Sequence, residues 1–320
     1  MLCDLNVPWP VNDYETKPTL DQLNTLKLII LTLDELNYTH IAINLTIPQN
    51  LKLANNKINV NPIDLKLLNL PRWKGSINDQ GHDHDSTGSG SFKNIQKIFK
   101  RLTISIEEPS KCSLLSKLNN FNSVFDVISI QPLSEKALLL AVTNLDIDLI
   151  SFKFDEKLPC FLKHKLICSA IEKGIKFEIS YNSLLSDNNY IKRQFFTNTL
   201  SLIRSSRSRG LIISSGAKSF LELRSLFDIT NLIILLGMNH NDCKLSMTDI
   251  PGKVILNGRL RYKSYKQIVT IDEFSNILNN EIEEENNNRE DSNLFIKDND
   301  KKRKSYLNNV MEREKKKLKN

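Results

Sequence analysis

The feature that most restricts this chain is a repeated alternation between short β-branched runs and longer stretches with helical spacing. A short strand candidate at 1–5 is followed by runs rich in Ile, Val or Phe at 39–45, 101–107, 124–130, 148–152, 176–181 and 211–214, a composition suited to strands covered on both faces. Most are separated by stretches with apolar residues three and four apart. The first is 19–36, where Leu23, Leu26, Ile30 and Leu33 share a face, followed by about 110–120, 134–143, 161–173, 188–206 and 219–237. In the last, Asp228 reads as a cap and Gly237 as a stop. The segment 253–256, bounded by Pro251-Gly252 and Asn257-Gly258, reads as an eighth strand. Such alternation requires parallel pairing, and about eight units predict a closed TIM-barrel-like (β/α) barrel, with a doubly wound open sheet as the alternative.

Two segments break the pattern. Residues 75–91 are rich in Gly, Ser and Asp and read as a mobile insertion between the second and third strands, too polar to bury a core. From 272 onward Asn, Glu and Lys dominate, and 272–320 reads as a disordered or partly helical tail attached to a barrel of residues 1–271. The tail carries 12 acidic and 11 basic residues, so in a chain of net charge +7 the barrel holds +8 and the tail −1. A basic body points toward an anionic polymer as partner. The tail's clusters Lys301-Lys302-Arg303-Lys304 and Lys315-Lys316-Lys317 resemble nuclear import signals, or belong to a solvated charged tail. No apolar run approaches the roughly 18 residues needed to span a bilayer, and no secretory leader is visible. Cys3, Cys112, Cys160, Cys168 and Cys243 form no C-x-x-C pair and read as buried thiols.

Candidate chemistry is sparse. His82 and His84, interleaved with Asp83 and Asp85, have the composition of metal ligands, but a Gly/Ser loop lacks the rigid support a metal site needs. His40, His164 and His240 stand alone. In a barrel, chemistry belongs at the C-terminal strand ends, which singles out Asn6, Asn44, Glu107, Gln131, Lys153, Glu178, Ser180, Ser214 and Ser215. These make no convincing catalytic set; Glu178 and Ser180 share one strand face and fit polar interior contacts better than acid/base roles.

Three features suit RNA. The turn Ser214-Ser215-Gly216-Ala217-Lys218, between a strand and a helix, could cradle a phosphate with free backbone N–H groups and the Lys218 ammonium. Lys192, Arg193, Arg204, Arg207 and Arg209 lie outside the apolar stripe of the 188–206 helix. Arg259, Arg261, Lys263 and Lys266 are interleaved with Tyr262 and Tyr265, a pattern suited to phosphate contact and base stacking.

The segments Asp4-Leu5-Asn6-Val7-Pro8-Trp9, Tyr38-Thr39-His40-Ile41-Ala42-Ile43-Asn44 and Phe177-Glu178-Ile179-Ser180-Tyr181 occur in order along the chain. They are followed by Leu211 to Ala217, Leu223-Arg224 and Asp228 to Leu232. Together, over roughly residues 1–262, they closely resemble the barrel-shaped protein subunit shared by nuclear ribonuclease P and ribonuclease MRP. The resemblance implies a barrel related to the polymerase and histidinol phosphatase metal-dependent phosphoesterases. Those relatives carry an H-x-H pair at the end of the first strand, where this chain has Asp4-Leu5-Asn6. The departure implies a scaffold that has lost the chemistry, with no catalytic or metal-ligating residue of its own.

The implied function is a non-catalytic subunit that braces ribonuclease P RNA and MRP RNA in the nucleus and nucleolus. There the RNA, with its Mg2+, matures the 5′ end of precursor tRNA or processes precursor rRNA. Implied partners are those RNAs, a small α/β Pop-family subunit and other particle proteins, with precursor tRNA met indirectly. No cofactor bound by this chain and no membrane association are implied. The family's motif places first weight on Arg224 and the Ser214–Lys218 turn, with Arg204, Arg207 and Arg209 following on charge. A metal-dependent phosphoesterase acting at the barrel mouth is the alternative.

Overall fold

The computed structural model describes residues 1–14, 16–51, 61–68, 70 and 92–263. The expected insertion at 75–91, with His82 and His84, and the tail from 272 lie outside the described residues. Met1–Tyr262 form one compact unit.

The first half of that unit runs β1 (Cys3–Pro8), α1 (Leu20–Glu35), β2 (His40–Pro48), β3 (Lys97–Ile106), α2 (Leu118–Phe121), β4 (Val127–Pro132) and α3 (Glu135–Thr143). The second runs β5 (Leu149–Ser151), α4 (His164–Glu172), β6 (Lys176–Ser180), α5 (Asn189–Ser206), β7 (Leu211–Ser214), α6 (Leu226–Leu235), α7 (His240–Met247) and α8 (Asp249–Lys263). Seven strands pair in parallel in chain order, β1 to β7. β7 comes back beside β1, where the Gly216 N–H donates to the Asn6 carbonyl at 3.0 Å, so the sheet curls into a near-closed barrel.

Alternation along each strand divides the core in two. Ile41, Ile43, Leu45 and Ile47 of β2, with Ile98, Leu102, Ile104 and Ile106 of β3, face outward into the layer covered by the helices. Inside the barrel, Cys3, Leu5, Ala42, Phe99, Val127, Leu149 and Ile212 form a separate apolar plug toward the N-terminal strand ends. Helix starts follow from local chemistry: Thr19 and Gln22 close a capping box on α1, and Asn188 caps α5. Ser225 caps α6, accepting from the Asp228 N–H, so the cap lies three residues before the expected Asp228. The stretch at 110–120 resolves into two short 3-10 turns and α2. All five cysteines are free; Cys3, Cys112 and Cys243 are buried as expected, whereas Cys160 and Cys168 are only half-buried.

The eighth strand expected at 253–256 is a correction: it is the middle of α8, whose Val254 and Ile255 close the apolar plug from below. Pro251 and Gly258 had read as breakers. Pro251 sits in the first turn of α8, where no intrahelical N–H is needed. Gly258 marks close packing, because a Cβ there would stand 2.0 Å from the Asp126 carbonyl oxygen. The helix therefore stoppers the N-terminal end of a seven-stranded barrel instead of supplying a strand.

That packing predicts a contrast within one helix. Gly258→Ala should cost about 1–3 kcal/mol through overpacking. Gly252→Ala, whose added carbon would meet Met1 at an ordinary 3.5 Å, should be neutral or mildly stabilising. Thermal denaturation of the two variants checks it.

Candidate functional site: the barrel axis and its two ends

Above the apolar plug the interior turns polar. Arg101 of β3 and Glu178 of β6 meet across the barrel, both side chains fully buried. The guanidinium grips both carboxylate oxygens, Nη1 to Oε1 and Nη2 to Oε2, at 2.5 Å each. Its remaining donors go to the Leu5 carbonyl at 2.9 Å, Ser129 Oγ at 3.1 Å and Thr103 Oγ1 at 3.2 Å. All five N–H groups are thus satisfied, the condition for burying an arginine without a large penalty.

From this pair a ring of side chains closes on itself. Thr103 donates to Asn44 at 2.7 Å, Asn44 to Asn6 at 2.7 Å, and Asn6 to Ser180 at 3.1 Å. Ser180 lies 3.4 Å from Ser214, which donates to Glu178 at 2.7 Å. The ring thus gathers Asn6, Asn44, Glu178, Ser180 and Ser214 from the strand-end residues singled out in the sequence. Gln131 pairs with Ser105 nearby, while Glu107 and Lys153 are exposed. Arg101 is the member that reading the sequence missed. Part of its signal was available: like Phe99 and Thr103 it falls on the inward alternation of β3, away from the exposed Lys97 at the strand's start.

Asp4 plays another part. The β1–β2 register shifts between Asp4 and Val7, giving β1 one extra residue. Asp4 Oδ1 there accepts the backbone N–H groups of Asn6 and Ser215, both at 3.1 Å, stitching the β1–β7 seam. Burial pushes its carboxyl above the ordinary value; the bonds from Ser215 and Asn6 oppose that shift, and the Glu178 charge adds to it. Among the described residues, no three His, Cys, Asp or Glu side chains gather to hold a metal ion.

The phosphate cradle expected at Ser214–Lys218 is a second correction, since its N–H groups are not free. Ser215 donates to Asp4, Gly216 to Asn6, Ala217 to Ser215 Oγ at 3.3 Å, and Lys218 to Glu222 at 2.8 Å. Gly216 takes φ +62°, and a Cβ would press on Asn182 and Ser180 at 3.2–3.3 Å, so this glycine belongs to the seam. Ser215 and Gly216 are buried; the Lys218 side chain is exposed. Arg224 is half-buried, its Nη1 bonded to the carbonyls of Leu221 and Leu223 at 2.7 Å. Its backbone is held between the phenols of Tyr38 and Tyr181.

Lys192 and Arg193 lie near the start of α5 and Lys266 lies outside the described residues; the other candidate cations lie at the opposite end. Arg204, Arg207 and Arg209 are exposed around the C-terminus of α5, just before β7. Arg261 is a third correction: it is buried in a 2.6 Å pair with Asp148, not displayed to solvent. Arg259 is half-buried in α8, and the Lys263 side chain lies outside what is described. Burial and the Lys253 charge lower the Lys176 pKa, and burial, the N-terminal amine and Lys97 lower that of His40.

The fold and interior define a class: a parallel seven-stranded β/α barrel with its axis filled by an arginine–carboxylate pair. Residues 1–263 match the family model described as RNase P subunit p30, and the chain belongs to that family of RNase P/MRP protein subunits. It is 45% identical over 269 residues to the ribonuclease P/MRP protein subunit RPP1 of Saccharomyces cerevisiae, covering 84% of each chain. It is 31% identical over 269 residues to a probable ribonuclease P protein subunit 3 of Schizosaccharomyces pombe, covering 84% of this chain and 98% of the relative. A chain in the cryo-EM structure of archaeal ribonuclease P with mature tRNA shares the fold at TM-score 0.54 and 16% identity, covering 84% of this chain and 97% of that one.

Two predictions follow from the interior. Arg101→Met or Glu178→Met alone strands a buried charge and should cost about 3–5 kcal/mol, while the double variant should cost clearly less than the sum. Denaturant unfolding of the three variants measures this. For Asp4, a carboxyl held above its ordinary 3.8 adds stability that is fully present below that pH and lost as pH rises through the folded value. Asp4→Asn should therefore flatten the fall in stability between acid and neutral pH, as read from melting temperature against pH.

Proposed function

We propose that this chain is a non-catalytic subunit of the ribonuclease P and ribonuclease MRP ribonucleoproteins, working in the nucleus and nucleolus. It braces the RNA and docks partner subunits, including a small α/β Pop-family protein. The RNA and its Mg2+ cut precursor tRNA at its 5′ end, and the MRP particle processes precursor rRNA. The chain meets precursor tRNA indirectly.

The observation that carries this reading is the Arg101–Glu178 pair. A hydrolytic metal centre at a barrel mouth needs carboxylates and imidazoles free to converge on a cation. Here the carboxylate nearest the axis is already neutralised by a guanidinium with every donor engaged. Asp4 faces the seam, and Asn6 is committed to Asn44 and Ser180. The exposed arginines at 204, 207 and 209 supply phosphate contacts of the kind that let RNA helices pack. Among the described residues no helix is long and apolar enough to cross a membrane.

Tagged protein purified from its own cells should carry structured RNA, and its precursor tRNA cleavage should vanish on nuclease treatment. Cleavage that survives nuclease, or metal-dependent phosphomonoester hydrolysis by the isolated chain, would favour the phosphoesterase reading. Replacing Arg204, Arg207 and Arg209 together by Ala should leave the fold intact and make the dependence of log K on log salt shallower by up to about 3. An unchanged slope would move the RNA contact elsewhere.

A further inference from the structure

At the C-terminal end of β1 a half-open groove of about 320 Å³ runs between the β1–α1 connection and α1, a volume at the low end for small-ligand sites. Its floor is apolar, with Trp9, Leu26 and Ile29, and its rim carries Asn12 and Gln22. Lys218 closes one end. The groove thus lies where the Asp4 to Trp9 segment meets the turn ending in Lys218, two segments already joined by the Ser215–Asp4 and Gly216–Asn6 bonds. The Lys218 backbone is fixed by Glu222, whereas its exposed ammonium has no partner among the described residues.

We propose that this groove seats one unstacked nucleotide of the particle's RNA. The base lies on the apolar floor, the Asn12 amide and the amide nitrogen of Gln22, whose oxygen is held by the Thr19 N–H, meet its edge, and the Lys218 ammonium takes the adjoining phosphate. The chemistry fits single-stranded RNA better than duplex: the space admits one base, amides can meet both donors and acceptors on its edge, and the single cation matches a single phosphate. An apolar peptide side chain would use the floor and leave Lys218 without a counter-charge. The inference rests on the RNA-particle reading and gives it a definite contact, at the end of the barrel opposite Arg204, Arg207 and Arg209.

The test uses the full chain in its native particle, with ultraviolet cross-linking and mass spectrometry of nucleotide-bearing peptides. A one-nucleotide adduct should map to Trp9–Asn12. Thr25→Trp, at an exposed α1 position lining the groove, should reduce that adduct about tenfold or more, the scale of a lost base stack, with RNA content unchanged. Lys218→Glu should reduce it as well. Retained RNA with adducts only elsewhere, or an adduct indifferent to Thr25→Trp, would overturn the seat. Amine-directed cross-links from Lys218 to another subunit, with no nucleotide adduct, would assign the groove to protein. A particle purified without RNA would overturn the underlying reading and the seat with it.

Discussion

The rest of the structure depends on the ion pair between Arg101 and Glu178. Two charges on a barrel axis are tolerable only if every donor and acceptor is satisfied, and that requirement dictates the surrounding residues. Ser129, Thr103 and the Leu5 carbonyl take the guanidinium's spare donors, and Ser214 serves the carboxylate. Asn44, Asn6 and Ser180 complete the ring, which in turn needs the extra residue in β1 to present Asn6. Below the ring the interior reverts to Cys3, Leu5, Phe99 and their neighbours, sealed by α8.

In the proposed reading this arrangement lets the barrel serve as a scaffold. Asn6, Asn44, Ser180, Ser214 and Glu178 bond to one another in a ring, while Asp4 keeps one buried oxygen, Oδ2, without a hydrogen-bond partner. What stays available is on the outside: arginines beyond α5 at one end, and a groove closed by Lys218 at the other. In the proposed reading the protein meets RNA through separated surfaces, and the bonded ring supplies a stiff core that holds them in register.

Much of this was legible in the sequence, for identifiable reasons. β7 forms at 211–214 as read, and α5 at Asn189–Ser206 within a residue, because unbroken apolar runs and clear helical spacing leave little choice. The eighth strand was not legible: Val254 and Ile255 look alike in strand or helix, and Gly258 is small because of a carbonyl that only the folded chain brings near. The same limit applied to the site. Glu178, Ser180 and Ser214 could be placed at strand ends, but their partner Arg101 comes from a strand 77 residues away, and its inward direction depends on register. The Ser214–Lys218 turn has the composition of an anion cradle, yet its N–H groups are taken by Asp4, Asn6, Ser215 and Glu222, contacts that no local pattern reveals.

The most direct measurement is precursor tRNA cleavage by the assembled particle carrying Glu178→Gln, with protein and RNA content verified. Because Glu178 holds Arg101 and touches no substrate in this account, the particle should cleave within roughly threefold of the unmodified one. A loss of about 10²–10⁴-fold in the rate constant, from a particle of normal composition, would contradict the account and make Glu178 a catalytic group.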